Sequence, residues 1–117
     1  MIWDLELLFD LDGTIQEVGN GYWYKVEIKP VQRTPERPHG IDYSLTLHEP
    51  SGKRIYGIDN AHPIKASRSP GRKRAKACDH VHAGTRIRVY EYDSASALMQ
   101  DFFDGVEQAM RAEGVWK

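Results

Sequence analysis

An α+β fold is the class this sequence predicts: an antiparallel β-meander of about five strands with one C-terminal helix packed on a face. Apolar and polar residues alternate with period two in one segment after another before residue 93. Turns bearing glycine or proline separate those segments, with no helical period between them. An apolar repeat at helical spacing appears only afterwards, between Leu98 and Met110.

Residues 3–11 alternate, with Trp3, Leu5, Leu7, Phe9 and Leu11 on one parity and Asp4, Glu6 and Asp10 on the other. This predicts a first strand with one buried face. Asp12-Gly13 reads as a tight hairpin turn. A second strand is expected from Thr14 to Val31, bent or bulged at Gly19-Asn20-Gly21. Pro30, Pro35, Pro38 and Gly40 make residues 30–40 a loop. In a third strand Ile41, Tyr43, Leu45 and Leu47 face inward, and Asp42, Ser44, Thr46 and His48 outward. Pro50-Ser51-Gly52 then turns the chain into a fourth strand over residues 54–58. Residues 59–77 show no apolar period, so a basic loop over 62–77 is expected between strands four and five. The fifth strand is expected from Cys78 to Tyr92. If Gly84 leaves its register unbroken, Cys78, His80, His82, Arg86, Arg88 and Tyr90 share one face. Asp93 or Ser94 caps a helix reaching about Glu113. Leu98, Phe102, Val106, Ala109 and Met110 form its buried stripe, and Gly114 stops it.

The 117 residues suit a single domain, 1–117, with one core. Charged residues make up 28% of the chain and hydrophobic ones 40%, the balance of a globular protein. No apolar run approaches the ~20 residues of a membrane helix, so no membrane association is expected. The first twelve residues carry four acids and no Lys or Arg, unlike a signal or transit peptide. The lone cysteine, Cys78, excludes an internal disulfide and suits a reducing compartment, so a cytoplasmic location is expected. Net charge is −1, but its distribution is lopsided. From His62 to Tyr90 stand Lys65, Arg68, Arg72, Lys73, Arg74, Lys76, Arg86 and Arg88, with Asp79 the only acid. This stretch is +7 and the remainder −8, which points to an anionic partner bound locally.

Leu8-Phe9-Asp10-Leu11-Asp12-Gly13-Thr14-Ile15 matches the first motif of the haloacid-dehalogenase-like phosphatases, where the first aspartate is the nucleophile and the second a general acid/base. That fold alternates strand and helix, whereas strands follow strands here, and the chain has no Asp-Asp or Gly-Asp for the later acidic motif. A phosphatase acting through Asp10 and Asp12 is therefore the disfavoured alternative, and a strand with a tight turn the favoured one.

Asp59-Asn60-Ala61-His62 ends the fourth strand and His80-Val81-His82 lies on the fifth. Neighbouring strands in a meander would bring His62 toward His80 and His82. Three readings compete. Metal-free RNA cleavage needs a general base for the 2′-hydroxyl, a general acid for the leaving 5′-oxygen, and cations for the charge on phosphorus. Histidines, lysines and arginines supply these, and Tyr56 or Tyr90 can stack on a base. Alternatively, Cys78, His80, His82 and His62 are zinc-ligand types. Their Cys-x-His-x-His spacing is tight and the flanking cations disfavour a divalent ion, so no metal and no cofactor is expected. Third, the histidines are merely solvated and the basic loop is a non-catalytic docking element for nucleic acid or an acidic protein. His39 and His48 fall under this last reading.

Several segments, in order, carry a resemblance that covers nearly the whole chain: Pro38-His39-Gly40-Ile41-Asp42-Tyr43-Ser44-Leu45, Gly57-Ile58-Asp59-Asn60-Ala61-His62, Asp79-His80-Val81-His82, Tyr90-Glu91-Tyr92, and residues 98–106 from Leu98 to Val106. Together they resemble the TumE-like toxins of bacterial type II toxin–antitoxin modules. The family pattern has an aromatic before Asp-Asn; here Ile58 stands there, with Tyr56 two residues earlier on the same strand face. The segment between Asn60 and Asp79 is also longer and more basic than the family's. The resemblance implies a toxin, expected to be a metal-independent endoribonuclease acting on RNA and neutralised by a co-encoded helix-turn-helix antitoxin. Combined with the chemistry above, His80 and His82 are expected to supply acid and base, helped by His62, with Asp59 orienting one imidazole. Lys65, Arg68, Arg72, Lys73, Arg74, Lys76, Arg86, Arg88, Tyr56 and Tyr90 are the expected nucleic-acid contacts.

Overall fold

A computed structural model describes residues 5–35, 38–60 and 79–116. A short helix, α1 (Leu5–Asp10), precedes six strands: β1 (Ile15–Gly19), β2 (Tyr22–Pro30), β3 (Ile41–His48), β4 (Arg54–Asp59), β5 (His80–Ala83) and β6 (Arg86–Val89). The long helix α2 (Ala95–Ala112) follows. The strands form one antiparallel sheet in sequence order, β1-β2-β3-β4-β5-β6. This is the α+β meander with a C-terminal helix that the alternating segments predict.

The strand count differs from expectation at three places. Residues 5–10 of the expected first strand are helical. Leu8, placed outward by the strand reading, is wholly buried in the core. Leucine-rich sequence favours helix, and Leu5, Leu8 and Phe9 also fit its spacing of three and four. Asp12-Gly13 accordingly joins helix to strand instead of turning a hairpin, with Leu11 N–H donating to Leu8 O at 3.0 Å and Thr14 N–H to Leu11 O at 3.0 Å. Asn20 and Gly21 both take positive φ, 56° and 82°, so the expected bend is a full two-residue hairpin turn that divides the second strand into β1 and β2. Gly84, at φ 65°, opens a second such turn before Thr85 and divides the fifth strand into β5 and β6.

Directly paired residues in an antiparallel ladder share a face. Val26, Leu45 and Ile58 are such a series, continued by Val81, and all four are buried beneath α2. Leu98, Met99, Phe102, Val106 and Met110 of α2 close the core from above. Ser94 caps the helix by accepting from Ala97 N–H at 3.0 Å, and Gly114, at φ 79°, follows its last turn. The Tyr56 ring packs flat against Phe102, 5.8 Å between centroids, and occupies the space a Cβ on Gly105 would need. Between α2 and strands β4 to β6 lies a groove of about 550 Å³ whose lining includes Val81, Arg88, Asp104 and Gly105.

The other sheet face carries the polar half of the alternation. Trp23, Lys25, Glu27 and Lys29 of β2 stand there beside His48, Thr46, Ser44 and Asp42 of β3, and Asp59, His80 and His82 continue the same face. None of the described helices is long and apolar enough to cross a membrane.

Candidate active site

The end of β4 and the start of β5 build the site. Asp59 pairs with His80, and Gly57 with His82, so both histidines and the carboxylate occupy the polar face at one end of the sheet. Asp59 Oδ2 reaches diagonally to His82 Nε2 at 3.1 Å. A carboxylate can only accept, so His82 carries its proton on Nε2 when neutral and leaves Nδ1 with a free lone pair. Burial holds the His82 pKa below the ordinary histidine value. Asp59 opposes this shift, while the positive charges of Arg54 and of a protonated His80 reinforce it. The rings of His80 and His82 lie 6.4 Å apart. His80 is only 3% exposed, and its Nε2 is buried without a hydrogen-bond partner among the described residues.

A second layer fixes this end of the sheet. Asn60, buried, extends β4 by side-chain mimicry of a strand: its Oδ1 accepts from Tyr43 N–H at 2.9 Å, and its Nδ2 donates to Ile41 O at 2.9 Å. Asp79, also buried, accepts from the Tyr43 hydroxyl at 2.6 Å, and its backbone oxygen accepts from Tyr90 N–H at 2.8 Å. Burial raises the Asp79 pKa, and so does the nearby Asp59; the Tyr43 hydrogen bond and the fields of His39 and His80 pull it back. His39 lies against Tyr92, 3.9 Å between ring centroids. Thus the loop before β3 delivers a third imidazole to the region of Asp79 and His80.

Of the expected catalytic set, Asp59, His80 and His82 come together. His62 lies outside the described residues, as do Cys78 and the cations Lys65, Arg68, Arg72, Lys73, Arg74 and Lys76. Arg86 and Arg88 do not join the histidines. The Gly84 hairpin pairs Arg88 with Val81 and Arg86 with Ala83, on the face toward α2, and sets Ile87 and Val89 beside His82 and His80 instead. The condition of an unbroken register therefore fails. Tyr56 and Tyr90 also face α2: Tyr56 donates to Asp101 O at 3.4 Å and Tyr90 to Asp101 Oδ2 at 2.6 Å. Both rings are buried, and burial pushes the Tyr56 hydroxyl up to about 12. The Asp10–Asp12 motif is not assembled as a phosphatase site. Its sheet is antiparallel, and Asp12 Oδ1 is engaged by Ile28 N–H at 2.8 Å. His48 is structural, its two nitrogens bonded to Gly52 O and Thr46 Oγ1 at 2.9 Å each and its ring stacked on Trp23. Among the described residues no three His, Cys, Asp or Glu side chains converge as a metal site.

Sequence reasoning missed Arg54, Tyr43, Asp79 and His39. Arg54 is on the same strand as Asp59, but alternation puts the two on opposite faces, and only the β3–β4 bulge between Leu47 and His48 brings Arg54 to the polar face. His39 gave no signal, because a loop's return path is not periodic.

The family model described as Toxin TumE matches residues 11–110, a span that includes every residue of this site. The chain belongs to the TumE toxin family. A toxin role and a cognate antitoxin follow from membership in the TumE family. Neither a curated protein nor a solved structure matches the chain.

Proposed function

We propose that this TumE-family protein is the toxin of a type II toxin–antitoxin module and a metal-independent endoribonuclease of the cytoplasm, neutralised by a co-encoded helix-turn-helix antitoxin. The Asp59–His82 pair at 3.1 Å, with the His80 ring 6.4 Å from that of His82, is the observation that carries this reading. His82 is the base. Its lowered pKa keeps it neutral at neutral pH, and Asp59 holds the tautomer whose Nδ1 can take the 2′-hydroxyl proton. The 2′-oxygen then attacks phosphorus, and the bond to the 5′-oxygen breaks. His80, the protonated imidazole in this reading, gives a proton to that leaving oxygen, so the products are a 2′,3′-cyclic phosphate and a 5′-hydroxyl. His62 assists as a further imidazole. The cations between Lys65 and Lys76 hold the phosphates, and Arg54 adds positive charge from β4.

Cleavage of single-stranded RNA in EDTA tests the mechanism. Wild type is expected to cut and leave cyclic phosphate ends. The His80→Ala/His82→Ala double variant is expected to lose on the order of 10²–10⁴-fold in rate, the usual worth of general acid–base catalysis. Equal cleavage by both proteins, or none by wild type, overturns the reading. RNA binding that survives the double substitution, without turnover by either protein, would leave a non-catalytic binding module.

A further inference from the structure

The chain has a second feature of recognisable chemistry, at the β6 edge of the sheet. Among the described residues β6 pairs with β5 alone, so the outward backbone groups of residues 86–89 form an open sheet edge. All four of its side chains are exposed. The two faces of this edge differ. Arg86 and Arg88 stand on the α2 side, and neither has a carboxylate within ion-pair distance among the described residues. Ile87 and Val89 stand on the histidine side, 58% and 55% exposed.

We propose that this edge receives an extended segment of a protein partner in which acidic and apolar residues alternate. A strand added to β6 shares its period of two, so one set of its side chains meets the arginines and the other meets Ile87 and Val89. Carboxylates satisfy the first set and apolar side chains the second. A second copy of this chain does not fit. Antiparallel self-pairing of β6 with both helices on one side sets arginine against arginine. With the helices on opposite sides it sets arginines against Ile87 and Val89. Nucleic acid can answer the arginines and single backbone N–H groups, but not the alternating N–H and C=O row together with the apolar pair. An added strand would be separated from His80 and His82 by β6, so the docking stands independently of the catalytic reading above.

The experiment titrates the ¹⁵N-labelled full chain with a capped peptide of about ten residues alternating Glu and Val, and with its Lys/Val counterpart. The Glu/Val peptide is expected to shift the amide resonances of residues 86–89. It should bind about tenfold more tightly than Lys/Val, since two favourable cross-strand charge pairs are exchanged for unfavourable ones. Arg86→Glu/Arg88→Glu should invert the preference, and Arg86→Gln/Arg88→Gln should abolish it with the rest of the amide spectrum unchanged. Equal affinity for both peptides, or shifts confined to the β1 edge, overturns the proposal. So does a charge-reversed variant that loses RNA binding while its peptide binding is unaltered, because the arginines would then be nucleic-acid contacts. RNA cleavage is measured separately in the same samples, so failure of the histidine mechanism and failure of the docking edge give different results.

Discussion

His82 shows how one side chain's surroundings decide its chemistry. Its residue type was legible, and so was a carboxylate partner, because Asp59 and His82 fall on facing strands of a meander. The sign of its pKa shift was not legible, since it depends on burial and on Arg54, whose place on the polar face needs the β3–β4 bulge between Leu47 and His48. That sign can be tested. If neutral His82 is the base, the rate rises with pH through its pKa, and the acid limb of kcat/KM falls below the ordinary histidine value of about 6.5. Removing the positive charge of Arg54 eases protonation of His82, so Arg54→Gln should move this limb to higher pH. Asp59→Asn removes a negative charge and should move it lower, with a loss of rate because the tautomer is no longer held. A pH profile of single-turnover RNA cleavage reads both shifts. A limb that ignores both substitutions would dissociate His82 from proton transfer.

Elements were legible where one periodicity had no rival. β3, β4 and α2 match the alternating and helical patterns closely, because each buries one face against the other. α1 escapes the alternating pattern because Leu5, Leu7, Leu8, Phe9 and Leu11 contain both period two and helical spacing. A glycine inside an alternating run fits a continuous strand and a tight turn alike, and the turn that Gly84 makes puts Arg86 and Arg88 on the opposite face. Two contacts between elements were invisible in sequence and carry stability predictions. Asn60 holds the end of β4 to β3 through two buried backbone groups, so Asn60→Ala should destabilise the fold by about 1–3 kcal/mol. Urea unfolding should show a lower midpoint at unchanged slope. Gly105 sits within α2 where alanine ordinarily gains about 1 kcal/mol. Here its Cβ would collide with the Tyr56 ring, so Gly105→Ala should instead destabilise by about 1–3 kcal/mol. Combined with Tyr56→Ala, its cost should largely vanish, since the colliding ring is gone; a fully additive double variant would place the cause elsewhere.

At the scale of the whole molecule, charge is separated more sharply than the net value of −1 suggests. The polar sheet face ends in Asp59, His80 and His82, while six of the basic residues crowd into the sequence between that strand end and the next strand start. This segregation was fully legible from sequence, because it is a property of residue order and needs no packing. It makes the proposed RNA contact electrostatic, with released counterions supplying much of the affinity. Binding to single-stranded RNA should therefore weaken linearly on a log–log plot against salt, by about 0.7 units of slope per phosphate contacted. Replacing Lys73, Arg74 and Lys76 by Gln should flatten that slope by about two units if each meets one phosphate, and lower affinity alike for RNAs of different sequence. The His80→Ala/His82→Ala variant should keep most of the wild-type slope, because neutral His82 releases no counterion and protonated His80 can answer one phosphate at most. A slope unchanged by the three Gln substitutions but lost with the histidines would shift phosphate binding from the basic segment onto the sheet face itself.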